Sequence, residues 1–547
     1  MSSFFKPKIL DALKGYNRKA FIKDLTAGVV VGIVALPMAI AFGIASGVTP
    51  QQGIITAIIA GFIISFLGGS RVQIGGPTGA FIVIVAGVVS TYGMLGLLVA
   101  TMMAGIMLLL MGFLKLGDII KFIPYPVIVG FTSGIAVVIF STQMNDFFGL
   151  GLLNVPSAFH EKWLIYFQNV DSINLWAVGI AVFTVLTGFF WVKINKSVPG
   201  SLVAIILTTV AVWLFNIPVE TIGSRFGEIA AKVPAPVLPV FTFESIRMLL
   251  PVAFTIAMLG AIESLLSAMV ADGAIGDRHN SNTELIAQGA ANIITPLFGG
   301  IPATGAIART MTNIKNGGRT PIAGIIHAVI LLLLLLLFGR WAKMIPMPCL
   351  AGILVIIAYN MSEWRSFRGL LRNSRADIAV LLTTFFLTVV FDLTIAIGVG
   401  LILAILLFVR RISQSSTVQI MQHDLAPDTA AASELPLPKG VDVFRINGPF
   451  FFGIANKFEE AFLRVSKPPK VRIIDMGNVP FIDATGIQNL TAFWKKCKSV
   501  HIKVILARVN PVVLETLKQN ILYENIGVNQ IFSDFTSAVE EAKEMLK

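Results

Sequence analysis

Two short stretches of this sequence have residue types and spacing suited to holding an anion. Pro77-Thr78-Gly79-Ala80 follows Leu67-Gly68-Gly69, and Pro302-Ala303-Thr304-Gly305-Ala306 follows Phe298-Gly299-Gly300. In each, Thr-Gly-Ala opens an apolar run too short to cross a bilayer alone. A helix starting there presents unpaired N–H groups and about half a positive charge. Two such ends facing one another form an anion site without any basic side chain. Glycine at 79 and 305 lets a ligand approach the backbone closely, and the threonines can cap the helix or donate to the anion. Either stretch alone could be an ordinary helix start; the pairing argues for a site.

Few ionisable residues fall deep in apolar sequence. Arg309 lies one helical turn beyond Gly305, and Glu263 lies within the span near 247–270, in the stretch Phe254 to Ser264. An intramembrane charge costs at least a few kcal/mol, so both are functional candidates. Arg309 would strengthen an anion site, because guanidinium stays charged and forks onto oxyanions. Glu263 could neutralise Arg309 or carry a coupling proton; a purely structural Arg–Glu pair is the plainer alternative. Asp24, ahead of Leu25-Thr26-Ala27-Gly28, is expected to cap the first span. Asp392 is expected in a loop or interface.

The elements that must position these residues are membrane helices. Only 13% of the 547 residues are charged, about half the usual share for a soluble protein. Apolar runs extend from Leu25 to Val409 and stop at Arg410-Arg411. They divide into about fourteen spans, near 25–44, 51–69, 78–90, 93–113, 123–143, 172–192, 199–216, 247–270, 282–298, 304–315, 320–338, 345–361, 375–391 and 393–409. With the N-terminus in the cytosol, 20 basic residues fall inside and 6 outside, which satisfies the positive-inside bias. The net charge of +12 thus serves topology, and no nucleic-acid partner is needed. Residues 1–24, basic and without a signal-peptide pattern, are expected to be a cytosolic lead-in. Cys349 and Cys497 offer neither a disulfide framework nor metal-ligand spacing, so no metal or cofactor is expected.

The chain also repeats itself. Thr78-Gly79-Ala80 matches Thr304-Gly305-Ala306 at an offset of 226, and Ile123-Pro124-Tyr125-Pro126 matches Ile345-Pro346-Met347-Pro348 at 222. Two repeats, about 25–216 and 247–411, give seven spans each. Seven is odd, so the second copy enters the membrane inverted. Interrupted helices at matching places in inverted repeats mark a transporter's binding site.

Residues 412–440 are polar, contain Pro427, Pro436 and Pro438, and read as a linker. Residues 441–547 alternate strands (441–445, 471–475, 502–506) with helices (454–466, 484–498, 511–519, 535–546), giving a small α/β domain. Thr485, beside the start of its second helix, is placed to accept phosphate or to serve as a plain cap.

Taken together, these motifs resemble the SulP family of anion transporters over nearly the whole chain. Asp24-Leu25-Thr26-Ala27-Gly28 with Ala35-Leu36-Pro37-Met38 is similar to the family's first span, and Ile301 to Thr310 followed by Gly317 to Gly324 to its tenth. The tail resembles a STAS domain through Asp483-Ala484-Thr485-Gly486. The resemblance implies an α-helical polytopic membrane protein of 14 spans as 7+7 inverted repeats. It further implies core and gate domains, elevator-type transport, homodimers, and multi-pass placement in the cell inner (plasma) membrane with both termini cytoplasmic. It places the anion between Thr78-Gly79-Ala80 and Thr304-Gly305-Ala306 near Arg309, the acidic position of span 8 at Glu263, and the phosphorylated hydroxyl of some STAS domains at Thr485. Many members have Pro-Gln where this chain has Pro37-Met38, so a polar contributor is missing. The bicarbonate transporters of the family share Pro-Met but resemble sodium-coupled proteins with aspartate in span 8.

The expected function is secondary transport of a small inorganic or carboxylate anion (sulfate, bicarbonate, chloride or dicarboxylate class), coupled to protons. Sodium-coupled bicarbonate uptake is the alternative within transport. A STAS-centred signalling module with a membrane anchor is disfavoured by the intact half-helix pair. A nucleobase permease is disfavoured by the tail and Arg309. No nucleophile or cofactor constellation suggests an enzyme.

Overall fold

A computed structural model describes residues 5–547 apart from 121–123, 153–154, 157, 195–198, 240, 392, 423–436 and 455–468. Asp392, Ile123, Pro427, Pro436 and nearly all of the helix expected over 454–466 therefore lie outside the described residues. The chain forms two compact units, Met1–Ile402 and Leu403–Lys547.

The first unit is helical. Its main elements are α1 (Arg18–Ala45), α2 (Pro50–Leu67), β1 (Gly75–Gly76), α3 (Ile82–Phe113), α4 (Tyr125–Phe148), α5 (Leu175–Ile194), α6 (Gly200–Phe215), α7 (Phe243–Ile275), α8 (Ser281–Ile294), β2 (Thr304–Gly305), α9 (Ile307–Lys315), α10 (Pro321–Ala342), α11 (Met347–Met361) and α12 (Arg375–Val390). The helix α13 (Leu393–Ser415) runs across the boundary between the units. Among the described residues, eight helices are long and apolar enough to cross a membrane, and Leu175–Trp191 and Gly200–Phe215 are shorter apolar helices. This is fewer than the fourteen expected from hydropathy. One reason is that Gly79–Phe113 is continuous, with a break at Gly93 (φ 69°, ψ −177°) where the two expected spans meet. Another is that α9 has nine residues.

Asp24 does not cap α1. The helix starts six residues earlier, because the Asn17 side chain accepts from the Ala20 amide at 3.0 Å. Buried Asp24 serves a different helix. It accepts from the Arg319 amide at 2.9 Å, from the Thr320 hydroxyl at 2.5 Å and from the Tyr16 hydroxyl at 3.0 Å, and so ties α1 to the start of α10.

Packing sorts the helices into two groups. In one, α1 and α2 lie on α10, and α3 lies on α7 and α8, with α9 against α7 and α1. In the other, α4 packs on α11 and α12, and α5 on α11 and α6. Small residues set these contacts, as expected where helix association depends on close packing. A Cβ on Gly28 would stand 2.6 Å from the Ala323 carbonyl, and one on Gly289 2.7 Å from that of Gly105.

The second unit is α/β. Its sheet has the order β3 (Thr417–Gln422), β4 (Val441–Asn447), β5 (Val471–Asn478), β6 (Lys503–Ala507), with β3 antiparallel to β4 and the other pairs parallel. Its helices are α14 (Ala484–Ser499), α15 (Pro511–Lys518), α16 (Ile521–Ile526) and α17 (Phe535–Glu544). The expected strands and the helices after residue 484 are present. β3 lies inside the expected 412–440 linker and covers the edge of β4; residues 423–436 of that segment lie outside the described residues. On the sheet, buried Asp475 accepts from Arg445 Nε at 2.7 Å and Arg508 Nε at 2.8 Å. Burial alone would raise its pKa, but the bonds from Arg508, Arg445 and the Gly477 amide outweigh this and hold it below the usual carboxylate range.

Candidate anion site

The two halves of the repeat meet through their backbones. β1 and β2 pair antiparallel, with Gly75 opposite Gly305 and Gly76 opposite Thr304, and the Ala306 amide donates to the Ile74 carbonyl at 2.9 Å. Each two-residue strand leads into a helix start. Thr78 precedes the turn Gly79–Phe81 that leads into α3, and Ala306 precedes α9; neither start has a side-chain cap. The capping positions are thus Thr78 and Ala306. Thr304 lies two residues before its cap, so the sequence match of the two Thr-Gly-Ala motifs is offset from the structural correspondence.

Arg309, buried on the first turn of α9, donates to the Gly75 carbonyl at 3.3 Å and to the Pro77 carbonyl. It thereby joins the second repeat to the backbone just before the helix start of the first. Glu263, on α7, accepts from the Thr78 hydroxyl at 2.7 Å. Arg309 and Glu263 thus approach the site from separate partners, and no ion pair joins them among the described residues. A structural Arg309–Glu263 pair is not what holds either in place.

A cavity of about 280 Å³ lies at this crossing, between the two helix groups. Of the expected site residues, Thr78, Gly79, Gly305, Ala306, Arg309 and Glu263 line it. Ala80 and Thr304 are fully buried and do not line it; Thr304 donates to the Gly260 carbonyl at 2.8 Å. Met38 and Phe42 of α1 also line it, so Met38 contributes an apolar wall where an amide could stand. The far wall comes from Thr132 of α4 and from Ile357, Asn360, Met361 and Glu363 on and just after α11.

The glycine at 305 has a reason other than ligand approach. A Cβ there would overlap the Gln73 amide, bringing its Cδ to 2.5 Å. Gln73 donates to Ser264 Oγ at 2.8 Å, and Ser264 donates to Glu284 Oε1 at 3.3 Å. Glu284 also accepts from Gln288 at 2.9 Å and from the Gly69 and Ser70 amides at 2.9 and 3.1 Å. This buried polar chain, extending from α8 to the back of β2, went unnoticed in the sequence. Its one signal is a glutamate inside the apolar run 282–298, and a charge there calls for a partner.

Thr485 lies in the first turn of α14, half-buried, but the cap is Asp483, which accepts from the Gly486 amide at 2.7 Å. The Thr485 hydroxyl is therefore not spent on capping.

A polytopic helical unit, two half-helix starts joined by a short sheet and a partly charged cavity between helix groups define a membrane transporter of small anions. The chain belongs to the sulfate permease family: residues 21–384 match it, and residues 433–542 match the STAS domain. It is 44% identical over 521 residues, 95% of this chain and 97% of the relative, to the putative sulfate transporter YvdB of Bacillus subtilis. It is 32% identical to the bicarbonate transporter BicA of Picosynechococcus sp., covering 85% of this chain and 84% of that protein. The fold matches the murine anion transporter Slc26a9 with a TM-score of 0.88, at 18% identity and over 98% of this chain and 94% of that one.

Proposed function

We propose that the protein is a proton-coupled secondary transporter of a small inorganic or carboxylate anion, working by an elevator mechanism. The observation that carries this is the cavity where two uncapped helix starts and Arg309 converge at the boundary of the two helix groups. In this reading the anion sits against the first-turn amides of both half-helices. The group holding α1, α2, α3 and α7–α10 carries it past the group holding α4–α6, α11 and α12. Fourteen spans in a seven-plus-seven inverted arrangement, both termini in the cytosol of a plasma-membrane homodimer, complete the proposal. The basic-residue asymmetry and the antiparallel β1–β2 crossing support it. The second unit, through Thr485, tunes the rate.

Proton coupling runs through Glu263. An anion arriving at the Gly79 amide stands beside Glu263, because the Thr78 hydroxyl links the two. The carboxylate then repels the anion, and a proton taken up by Glu263 removes the repulsion. Anion and proton bind with positive coupling, as symport requires. Arg309 repels a sodium ion at the same place. Sodium-coupled bicarbonate uptake is the second reading, favoured by Met38 in the cavity wall and by the likeness to BicA. Proteoliposome uptake of labelled sulfate, bicarbonate, chloride, nitrate, fumarate and succinate, with and without pH and sodium gradients, separates them. Uptake driven by a pH gradient without sodium is expected; uptake that needs sodium and ignores pH moves the assignment to the second reading.

A further inference from the structure

The cavity carries an acid that the anion reading does not need. Glu363 follows the end of α11, starts the short helix Trp364–Leu370, and lines the same cavity as Arg309 and Glu263. Its backbone is left-handed, with φ 41° and ψ 37°, a conformation that side chains other than asparagine and aspartate rarely adopt. Strain of this kind persists where surrounding structure imposes it, and it clusters at ligand sites and switch regions. No ion pair neutralises Glu363 among the described residues.

The charges around the cavity can be counted. Arg309 contributes one positive charge, and Glu263 and Glu363 contribute two negative ones. The two helix starts add about half a positive charge each. Counted formally, with both carboxylates ionised, the empty site is close to neutral, although Glu363 is exposed and water screens part of its charge. Once Glu263 takes up a proton, it has room for one negative charge. A dianion would leave a net negative charge inside a largely apolar wall. The cost of desolvating an ion grows as the square of its charge, so it is about four times larger for a dianion. Side-chain donors are also few. Arg309 gives two of its five N–H donors to the Gly75 and Pro77 carbonyls, and the Thr132 hydroxyl goes to the Ile128 carbonyl. What faces the ligand is the first-turn amides, Asn360 and the remaining Arg309 N–H groups, among Met38, Phe42, Ile307, Ile357 and Met361.

Building on the transport reading above, we propose that the cavity selects a singly charged anion and that Glu363 is the residue that rejects a dianion such as sulfate. The carboxylate acts at the wall by charge alone, so a neutral residue of similar shape relaxes the selection and aspartate preserves it.

The test is uptake of labelled bicarbonate, formate and sulfate by proteoliposomes of the full chain, as wild type, Glu363→Gln, Glu363→Asn and Glu363→Asp. Glu363→Asn suits the left-handed backbone and guards against a folding defect in the glutamine variant. The expected result is that wild type favours the monoanions, that both neutral variants raise the sulfate-to-formate ratio about tenfold, and that Glu363→Asp keeps the wild-type ratio. Wild-type sulfate uptake equal to or above that of the monoanions, or an unchanged ratio in both neutral variants, overturns the selection while leaving anion transport intact. A folded wild-type protein that moves none of the three anions overturns both readings.

Discussion

Gly305→Ala is a one-carbon change whose effect follows from the structure. The new Cβ would overlap the Gln73 side-chain amide. Gln73 is buried and donates to Ser264 Oγ at 2.8 Å, so it cannot swing into solvent. It must rotate off Ser264, or β2 must move away from β1. Leaving a buried hydrogen-bonding group unpaired costs about 1–3 kcal/mol, and overpacking a filled interior costs about 1–3 kcal/mol more. A destabilisation of about 2–6 kcal/mol is expected, felt where Gly305 lines the cavity. The assay pairs thermal unfolding in detergent with uptake in proteoliposomes, for Gly305→Ala, Gln73→Ala and the double variant. If the clash is the cause, the double variant unfolds close to Gln73→Ala alone, so that the coupling between the two sites is about as large as the whole cost of Gly305→Ala. Strictly additive effects, or a wild-type melt and full uptake in Gly305→Ala, would refute the reasoning.

Three further outcomes can be checked separately. Glu263→Gln keeps anion binding, measured by titration of the detergent-solubilised protein, while its uptake no longer responds to a pH gradient; retained pH dependence argues against Glu263 as the proton carrier. Asp475→Asn removes a buried carboxylate that two arginines share and lowers the stability of a soluble tail fragment by about 3 kcal/mol. Because the folded Asp475 titrates below its ordinary 3.8, its contribution is complete above that value and is lost as pH falls through the folded pKa, so the wild-type fragment loses stability below about pH 4 and the variant loses less. A fragment of residues 412–547, which contains β3, melts cooperatively and at a higher temperature than 441–547, whose β4 edge is bare; equal melting temperatures would show that β3 contributes nothing.

Much of this architecture was legible in the sequence because it is written in patterns of known period. Apolar runs of bilayer length located most of the helices but not their ends, the first starting at Arg18 and not near residue 25, and strand–helix alternation gave the order of the soluble unit after residue 440. The repeated Thr-Gly-Ala drew attention to β1, β2 and the two helix starts. It also misled slightly, because Thr78 occupies a helix-cap position and Thr304 is a strand residue. Asp24 shows a similar limit. An aspartate before an apolar run resembles a local cap, yet its amide partners are Arg319 and Thr320, nearly three hundred residues away. Local spacing has no access to such pairings, which only packing creates.

The cavity and the chain behind it follow different rules of recognition, and this explains which residues were missed. Arg309 and Glu263 stood out because a charge in an apolar run is expensive unless it is partnered or used. Glu284 meets the same criterion, but it sits three residues inside α8, beside polar Ser281, Asn282 and Thr283, where it resembles an interfacial charge. It is instead fully buried, with both carboxylate oxygens accepting hydrogen bonds. Through Ser264 and Gln73 it packs against Gly305 of β2 from outside the cavity lining. The helix-start amides of the proposed anion site are therefore held by two layers. The β1–β2 pairing and Arg309 tie the two half-helices to each other, and the Glu284 chain ties them to α7 and α8. A site whose ligand contacts are mainly backbone has no side chain of its own to adjust. Its geometry depends on what stands behind it, so substitutions at Gln73 or Ser264 should alter anion affinity without touching the anion.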